Sequence, residues 1–255
     1  FNKISTEGRY CWVYYEGKAI KSLLIIKEEN EPINTNPPLP KAKRLKICTL
    51  KVDAHGVKLG ELLLKIAFQF CVKNNIFETY LTHYPRQNDR LPDLLTDYGF
   101  IRHDLISGSE KVYLKNLIPA NKSLAPIELA RRYYPSFNDS KTLKKFIVPI
   151  KPEYHCRLFP ELDKQLRVFN EINVPGNAIK KAYLCHSHLK KINSGDILLF
   201  YRSRDMQKIT SVGIVDQKPI HTQNVEDVIR MVGNRTVYSY DEIALMTQKP
   251  ILVIL

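Results

Sequence analysis

Residues 45–100 constrain the fold more than any other part of this sequence. They open on Leu45-Lys-Ile-Cys-Thr-Leu-Lys-Val52, which alternates apolar and β-branched residues as a strand does. Asp53-Ala-His-Gly-Val-Lys-Leu-Gly60 follows, a short segment with two glycines. Glu61 to Cys71 is then apolar at helical spacing, with Leu62, Leu63, Ile66, Ala67 and Phe70 on one stripe. A loop that opens directly onto a helix N-terminus gathers free backbone N–H groups at the positive end of a helix dipole, where a phosphate or pyrophosphate binds. The same spacing also suits a plain tight turn between strand and helix. Phe77-Glu-Thr-Tyr-Leu-Thr82 adds an apolar strand, and Asn88 to Leu95 leads into Asp97-Tyr-Gly-Phe100. Residues 101–117 read as a charged hairpin with a strand at Glu110 to Leu114.

With these elements in order, the chain resembles the GNAT family of acetyl-CoA-dependent N-acyltransferases over roughly residues 10–118. The family's acyl-CoA loop, Gln/Arg-x-x-Gly-x-Gly/Ala, takes its register on His55-Gly56-Val57-Lys58-Leu59-Gly60. Its late motif, Asn-x-x-Ala-x-x-Leu-Tyr ahead of Gly-Phe, falls on Asn88, Leu91, Leu94 and Leu95 ahead of Gly99-Phe100. Three positions depart from the pattern: His55 replaces Gln or Arg, Lys58 replaces the middle glycine, and Leu95 replaces a tyrosine that in many members protonates the leaving thiolate. Lysine can meet a phosphate as a point charge, but its Cβ narrows the backbone approach that glycine allows. Leucine cannot donate a proton. Either Tyr98, a water or another residue takes that role, or the domain binds acyl-CoA without turning it over.

The resemblance implies acetyl-CoA, or another acyl-CoA, as cofactor. Its pyrophosphate would lie on the N–H groups of Gly56, Val57, Lys58, Leu59 and Gly60, with His55 and Asn88 beside it. Its pantetheine would run along the strand Thr49–Val52, which in this family is splayed from its neighbour. A substrate amine would attack the thioester carbonyl, and a backbone N–H near Leu50 or Val52 would stabilise the oxyanion. Asp53 and Tyr98 are the candidate proton-transfer groups, although a loop acid beside a lysine is commonly just solvated.

At 255 residues the chain suits two modest domains. No apolar run reaches the roughly 18 residues a membrane span needs, and no signal peptide is visible. Five scattered cysteines without a Cys-x-x-Cys pair point to reduced thiols in the cytoplasm. The chain begins at Phe1 and enters at what reads as the second strand of the acyltransferase fold, so we expect a fragment of a longer protein with a further N-terminal domain. The net charge is +13, with 18 basic against 13 acidic residues up to 118 and 21 against 13 beyond. A surplus of that sign favours nucleic acid or another polyanion; it also fits a solvated lysine-rich surface. Pro37-Pro38-Leu-Pro40 with Lys41, Lys43 and Arg44 reads as a loop between strands whose charges face solvent.

Residues 119–145 read as a connector with a helix from Leu124 to Tyr134, stopped by Pro135. Beyond it, residues 146–255 carry short apolar strands at Phe146–Ile150, Lys181–Cys185, Asp196–Tyr201, Ile209–Val215 and Ile251–Leu255, with a helix at Val225–Val232. Tyr154 to Pro160 reads as an aromatic chain reversal. The strand spacing suggests a small β-barrel with helices at its rim. The Gly195-Asp196 turn, the aromatic-tipped strand Leu198–Ser203 and Val212-Gly213-Ile-Val215 resemble the PUA-like superfamily that includes ASCH and EVE domains, whose members commonly bind RNA or modified bases. The resemblance implies phosphate contacts from Lys180, Lys181, Lys190, Lys191, Arg202 and Arg204, stacking by Tyr183 or Tyr201, and Ser203 at a pocket edge. Against this, the tyrosines could equally fill the barrel. Cys185-His186-Ser187-His188 lacks a second ligand cluster, so no metal site is expected.

Together these readings give an α+β chain: a GNAT-like mixed sheet with flanking helices, then a PUA-like small β-barrel. The expected activity is acyl-CoA-dependent N-acyltransfer to a tRNA or ribonucleoprotein. The alternative is a catalytically inactive acyl-CoA-binding or scaffold domain in a nucleic-acid-binding regulator, such as that of a toxin–antitoxin or defence system.

Overall fold

The computed structural model describes residues 2–53, 56–106, 108–120, 123–160 and 173–255, so His55 lies outside the described residues. The chain divides into two units, residues 1–124 with 128–138, and residues 125–127 with 139–255. In the first unit a short helix α1 (Asn2–Thr6) precedes β1 (Tyr10–Glu16), β2 (Ala19–Ile33), β3 (Thr35–Asn36) and β4 (Leu39–Val52). Then come α2 (Leu59–Lys73), β5 (Glu78–His83), α3 (Leu91–Asp97), β6 (Ile101–Leu105) and β7 (Lys111–Asn116), with α4 (Pro126–Tyr133) after them. One mixed sheet forms in the order β1-β2-β4-β5-β7-β6-β3.

Four neighbouring pairs in this sheet are antiparallel ladders along most of the shorter strand, those of β2 with β1 and with β4 interrupted by register shifts, and β3 adds two residues against β6. The exception is the parallel pair β4–β5, which spans only Arg44–Lys46 against Glu78–Tyr80. Past that point β4 runs on to Val52 and β5 to His83 with no further pairing between them. Arg44 fixes the junction. It is 2% exposed, its Nε donates to Glu78 Oε2 at 2.7 Å, and its Nη1 donates to the Glu31 carbonyl at 3.0 Å. Thr79 Oγ1 adds a bond to the Leu45 carbonyl at 3.0 Å. Of the three charges expected to face solvent after the prolines, Arg44 is buried instead. Leu39 to Arg44 already belong to β4, and a buried guanidinium keeps its charge there because a carboxylate and a carbonyl face it. Lys41 and Lys43 are exposed.

The β2–β4 ribbon is long enough that its tip folds back over the sheet. β3 pairs with Leu105 and Asp104 of β6, while Ile33 and Leu39 pack against Tyr80, Val112, Leu114 and Leu105. α2 is buried on nearly every side, not on a single stripe, with Glu61 and Lys65 enclosed as well. Gly60 meets Leu94, Phe68 meets the rings of Phe100 and Tyr134, and Phe70 meets Tyr10 and Trp12.

The second unit holds β8 (Lys145–Ile150), α5 (Pro152–Leu158), α6 (Val174–Asn177), β9 (Tyr183–Cys185), β10 (Ile197–Arg202), β11 (Lys208–Ile214) and β12 (Ile220–Thr222). It ends with α7 (Val225–Val232), α8 (Tyr240–Met246) and β13 (Ile251–Ile254). Its strands form two three-stranded sheets, β11-β10-β8 and β12-β13-β9, and no closed barrel is found among the described residues. β13 explains the layering. Leu252 and Ile254 join Val148, Leu198 and Phe200 in one core, while Ile251 and Val253 join Val228, Val232 and Ile243 in another. A strand buried on both faces needs an unbroken apolar run. The segment after β8 is the helix α5, started by Pro152, where the sequence suggested a reversal.

Two contacts meet on one backbone carbonyl, that of Arg132 near the end of α4. Lys115 Nζ, on a fully buried side chain, donates to it at 2.9 Å, and Gly99 (φ +79°) packs against it so closely that a Cβ would stand 2.1 Å from the oxygen. Gly99→Ala is therefore expected to destabilise the protein by about 2–4 kcal/mol in urea unfolding, since both the backbone conformation and the space exclude a side chain. Burial pulls the Lys115 ammonium from its ordinary 10.5 down to about 7. The unfolded chain then binds the extra proton between these values. Its cost to stability is full below about pH 7 and fades as pH rises toward 10.5. The stability of wild type relative to Lys115→Met should accordingly rise across that window, measured by urea unfolding at several pH values.

Candidate functional site

The parting of β4 from β5 leaves the β5-facing edge of residues 47–52 without a strand partner among the described residues. On its other edge β4 is laddered to β2 as far as Leu50 opposite Leu24 and Val52 opposite Ser22, with a register shift at Cys48, between the Ile47–Ile26 and Thr49–Ile25 pairs. Backbone groups of Leu50 and Val52 therefore sit on a strand that is held firmly from one side and open on the other. The unsatisfied donors and acceptors of such an edge are the natural partners of an extended ligand carrying amides.

The loop that follows leads from this edge to α2. Gly56 has φ +80° and open space around it, and Lys58 adopts φ 57° as the residue before the helix. Val57 is half-buried and Leu59 is buried. Gly60, by contrast, lacks a positive φ; a Cβ there would meet Leu94 Cδ2 at 2.9 Å. Its smallness serves the approach of α2 to α3. The helix N-terminus also carries its own anion. Glu61 is buried in the first turn, and Lys58 Nζ pairs with it at 2.8 Å. The positive end of the dipole is thereby already met by a carboxylate.

Tyr98 is buried and hydrogen-bonded to Glu61, and burial followed by that carboxylate holds its phenol well above the ordinary range. Such a phenol gives up its proton less readily than a free one. Asp53 is exposed and paired with Lys51 at 3.0 Å, as expected of a solvated loop acid, and its N–H donates to the Lys21 carbonyl. Leu95 is fully buried. Asn88 is exposed at φ 59°. Its neighbour Asp89 instead bonds His83, the last residue of β5. Sequence spacing gave no sign of the His83–Asp89 pair, because no short motif links a strand end to the turn six residues later.

In the second unit the expected nucleic-acid residues separate into two groups. Lys180, Lys190, Lys191 and Arg204 are exposed. Lys181, however, donates to the carbonyls of Pro175, Gly176 and Ala178 at 2.8–3.2 Å. Arg202 is 7% exposed and grips Asp205 through Nε and Nη2 at 2.6–3.1 Å. Its Nη1 approaches Nδ1 of the fully buried His155 at 3.3 Å, and His155 Nε2 bonds Thr210 Oγ1 at 2.7 Å. Thr210 Oγ1 in turn lies 3.3 Å from the Phe200 carbonyl, to which it donates, so the His155 proton sits on Nε2 and Nδ1 accepts from Arg202. Arg202 and Lys181 are thus committed inside the fold, because each meets acceptors that burial would otherwise leave bare.

Tyr183 packs on Phe200 and donates to the Pro149 carbonyl, filling the core. Tyr201 is half-buried on the outer face of its sheet, between Pro149 and Ile209 by register. Ser203 is half-buried, with Oγ and N–H both donating to the Ile150 carbonyl. Asp196 receives the N–H groups of Lys144 and Asn193, which shapes the turn beside Gly195 (φ +88°). His186 bonds the Met246 carbonyl. Among the described residues no group of three or more His, Cys, Asp or Glu is placed to hold a metal, and no helix is long and apolar enough to cross a membrane.

These placements separate structural from surface roles. Arg202→Ala should lower stability by about 2 kcal/mol, because it strips His155 and Asp205 of their shared partner. Lys190→Ala/Lys191→Ala should leave thermal unfolding within about 0.5 kcal/mol of wild type. Thermal melts of the two variants side by side check both.

No known family matches the chain, and no curated protein matches it. Among solved structures it is similar to the PaiA N-acetyltransferase from Thermoplasma acidophilum in complex with coenzyme A, at 19% identity and a TM-score of 0.34. That alignment covers 44% of this chain and 65% of the other, so the chain spans slightly less than two thirds of that relative. An acetyltransferase from Thermus thermophilus aligns at 15% identity and a TM-score of 0.34, over 45% of this chain and 69% of the other. A chain of the NatC complex bound to Gag peptide and CoA aligns at 16% identity and a TM-score of 0.31, over 41% and 67%.

Proposed function

We propose that the first unit is an acyl-CoA-dependent N-acyltransferase of the GNAT type, and that the second is a PUA-like module which recognises a nucleic-acid substrate, a tRNA or a ribonucleoprotein. The observation that carries the first half is the opening between β4 and β5 beyond Lys46 and Tyr80. A strand held on one edge and unpaired on the other suits the amides of a pantetheine arm, and it lies next to the Gly56–Lys58 turn at the start of α2. Acetyl-CoA, or another acyl-CoA, would run along residues 49–52, with its pyrophosphate toward Gly56 and Val57. Lys58 would exchange its bond to Glu61 for a phosphate. The amine attacks the thioester carbonyl, and an N–H of Leu50 or Val52 receives the oxyanion.

The second half rests on the basic surplus and on the exposed Lys180, Lys190, Lys191 and Arg204, with Tyr201 available on an outer face. Its partner would be RNA, held through phosphates and one stacked base. A different reading has its own observation. Lys58 is tied to Glu61, and Tyr98 is held as a weak acid, which fits a domain that binds the cofactor as a scaffold without turning it over.

Calorimetric titration of acetyl-CoA tests the first half. Saturable micromolar binding is expected, weakened about tenfold in Lys58→Ala by loss of one charge-assisted contact. No heat at high micromolar acetyl-CoA would overturn the cofactor assignment.

A further inference from the structure

We propose that His83, oriented by Asp89, is the proton carrier of the acyl transfer, an inference that rests on the acyl-CoA reading above. His83 closes β5 three residues past Tyr80, the last residue that pairs with β4. It therefore stands on the wall of the opening opposite the bare edge of β4. Its ring is largely enclosed, with 19% of the side chain exposed, and Asp89 with 14%. Its Nε2 lies against Asp89 Oδ2, whose group also accepts the N–H of Leu91 at 3.1 Å and of Arg86 at 3.4 Å. Burial alone would raise the Asp89 carboxyl, but His83 and these N–H groups outweigh it and hold the group below its ordinary range. An anionic acceptor fixes the proton of the neutral imidazole on Nε2 and leaves the lone pair on Nδ1. No hydrogen bond to Nδ1 is present among the described residues.

Charged neighbours are already paired or face solvent. Lys111, opposite His83 on β7, pairs with Asp104 at 3.1 Å, and Glu61 at the start of α2 pairs with Lys58. Arg86 and Arg90, in the turn before α3, are exposed.

The step balances without a further reagent. As the amine nitrogen bonds to the acyl carbon, its proton passes to Nδ1. As the C–S bond breaks, sulfur leaves with the electron pair, and the imidazolium returns that proton to it as the thiol. Asp89 stays ionised and steadies the imidazolium, which makes it a positioning residue.

The test measures thiol release from acetyl-CoA with hydroxylamine as the acceptor amine, together with calorimetric acetyl-CoA binding. In wild type kcat should rise with pH along one acidic limb. His83→Gln should lower kcat at least about 100-fold and abolish that limb, with acetyl-CoA affinity within twofold of wild type. Asp89→Asn should shift the limb to lower pH, which a merely structural role would not do. Unchanged kcat and pH profile in His83→Gln would overturn the proposal, as would a wild-type protein that binds acetyl-CoA yet does not accelerate thiol release. Failure to bind acetyl-CoA would remove the acyl-CoA reading itself, and this role with it.

Discussion

The first unit depends on a parallel contact three residues long. Arg44–Lys46 and Glu78–Tyr80 join β4 to β5, and the buried Arg44–Glu78 pair and the Thr79–Leu45 bond pin that contact. Both strands can then separate without becoming weak, because each has another neighbour. β4 is laddered to β2 as far as Val52, and β5 to β7 as far as His83. A sheet interior normally offers no free hydrogen-bonding groups. Here the pairing of β4 with β5 stops at Lys46, and the rest of β4 keeps its β2 neighbour. The proposed chemistry uses both walls of that opening, the backbone of one and the last side chain of the other.

The second unit solves a different problem. Its central strand, β13, faces two separate cores, so one apolar run of four residues joins a sheet to a helical layer. The buried Arg202 and the half-buried Lys181 are occupied inside the fold. Arg202 orders the β10–β11 turn and His155, and Lys181 gathers the carbonyls around α6. Lys180, Lys190 and Lys191 are exposed instead.

Alternation and helical spacing made most individual elements legible. The helix at 61–71 and the strand at 77–82 have counterparts within a few residues, the strand at 45–52 is the second part of a strand that starts at Leu39, and Val225–Val232 is a helix over the same span. Pairing was less legible. Nothing in the local pattern around Arg44 says that Glu78 waits across the sheet, and nothing around Arg202 separates a phosphate contact from a buried ion pair. The same limit applies to Gly60. Its place in a glycine-bearing loop suggested a ligand's approach, while its contact is Leu94 of another helix. Five strands of the second unit were readable too, but not β12 (Ile220–Thr222) or the division into two sheets, because a short apolar strand carries no record of which edge it pairs by.

The folded-back tip of the β2–β4 ribbon has a consequence for how the chain reaches this structure. Residues 35 and 36 pair with 105 and 104, the two ends of a long closure, whereas the ribbon itself forms from near neighbours in sequence. Contacts of the second kind form early, and those of the first must await most of the unit. During synthesis the ribbon would stand complete while its partner strand was still absent, with the Lys27–Ile33 stretch of β2 extending beyond the cover of β1. That stretch reads Lys-Glu-Glu-Asn-Glu-Pro-Ile, and such charged, proline-bearing edges resist pairing with other chains. The stretch whose Glu31 carbonyl meets Arg44 and whose Ile33 packs on Tyr80 in the finished sheet would then also guard the unfinished one.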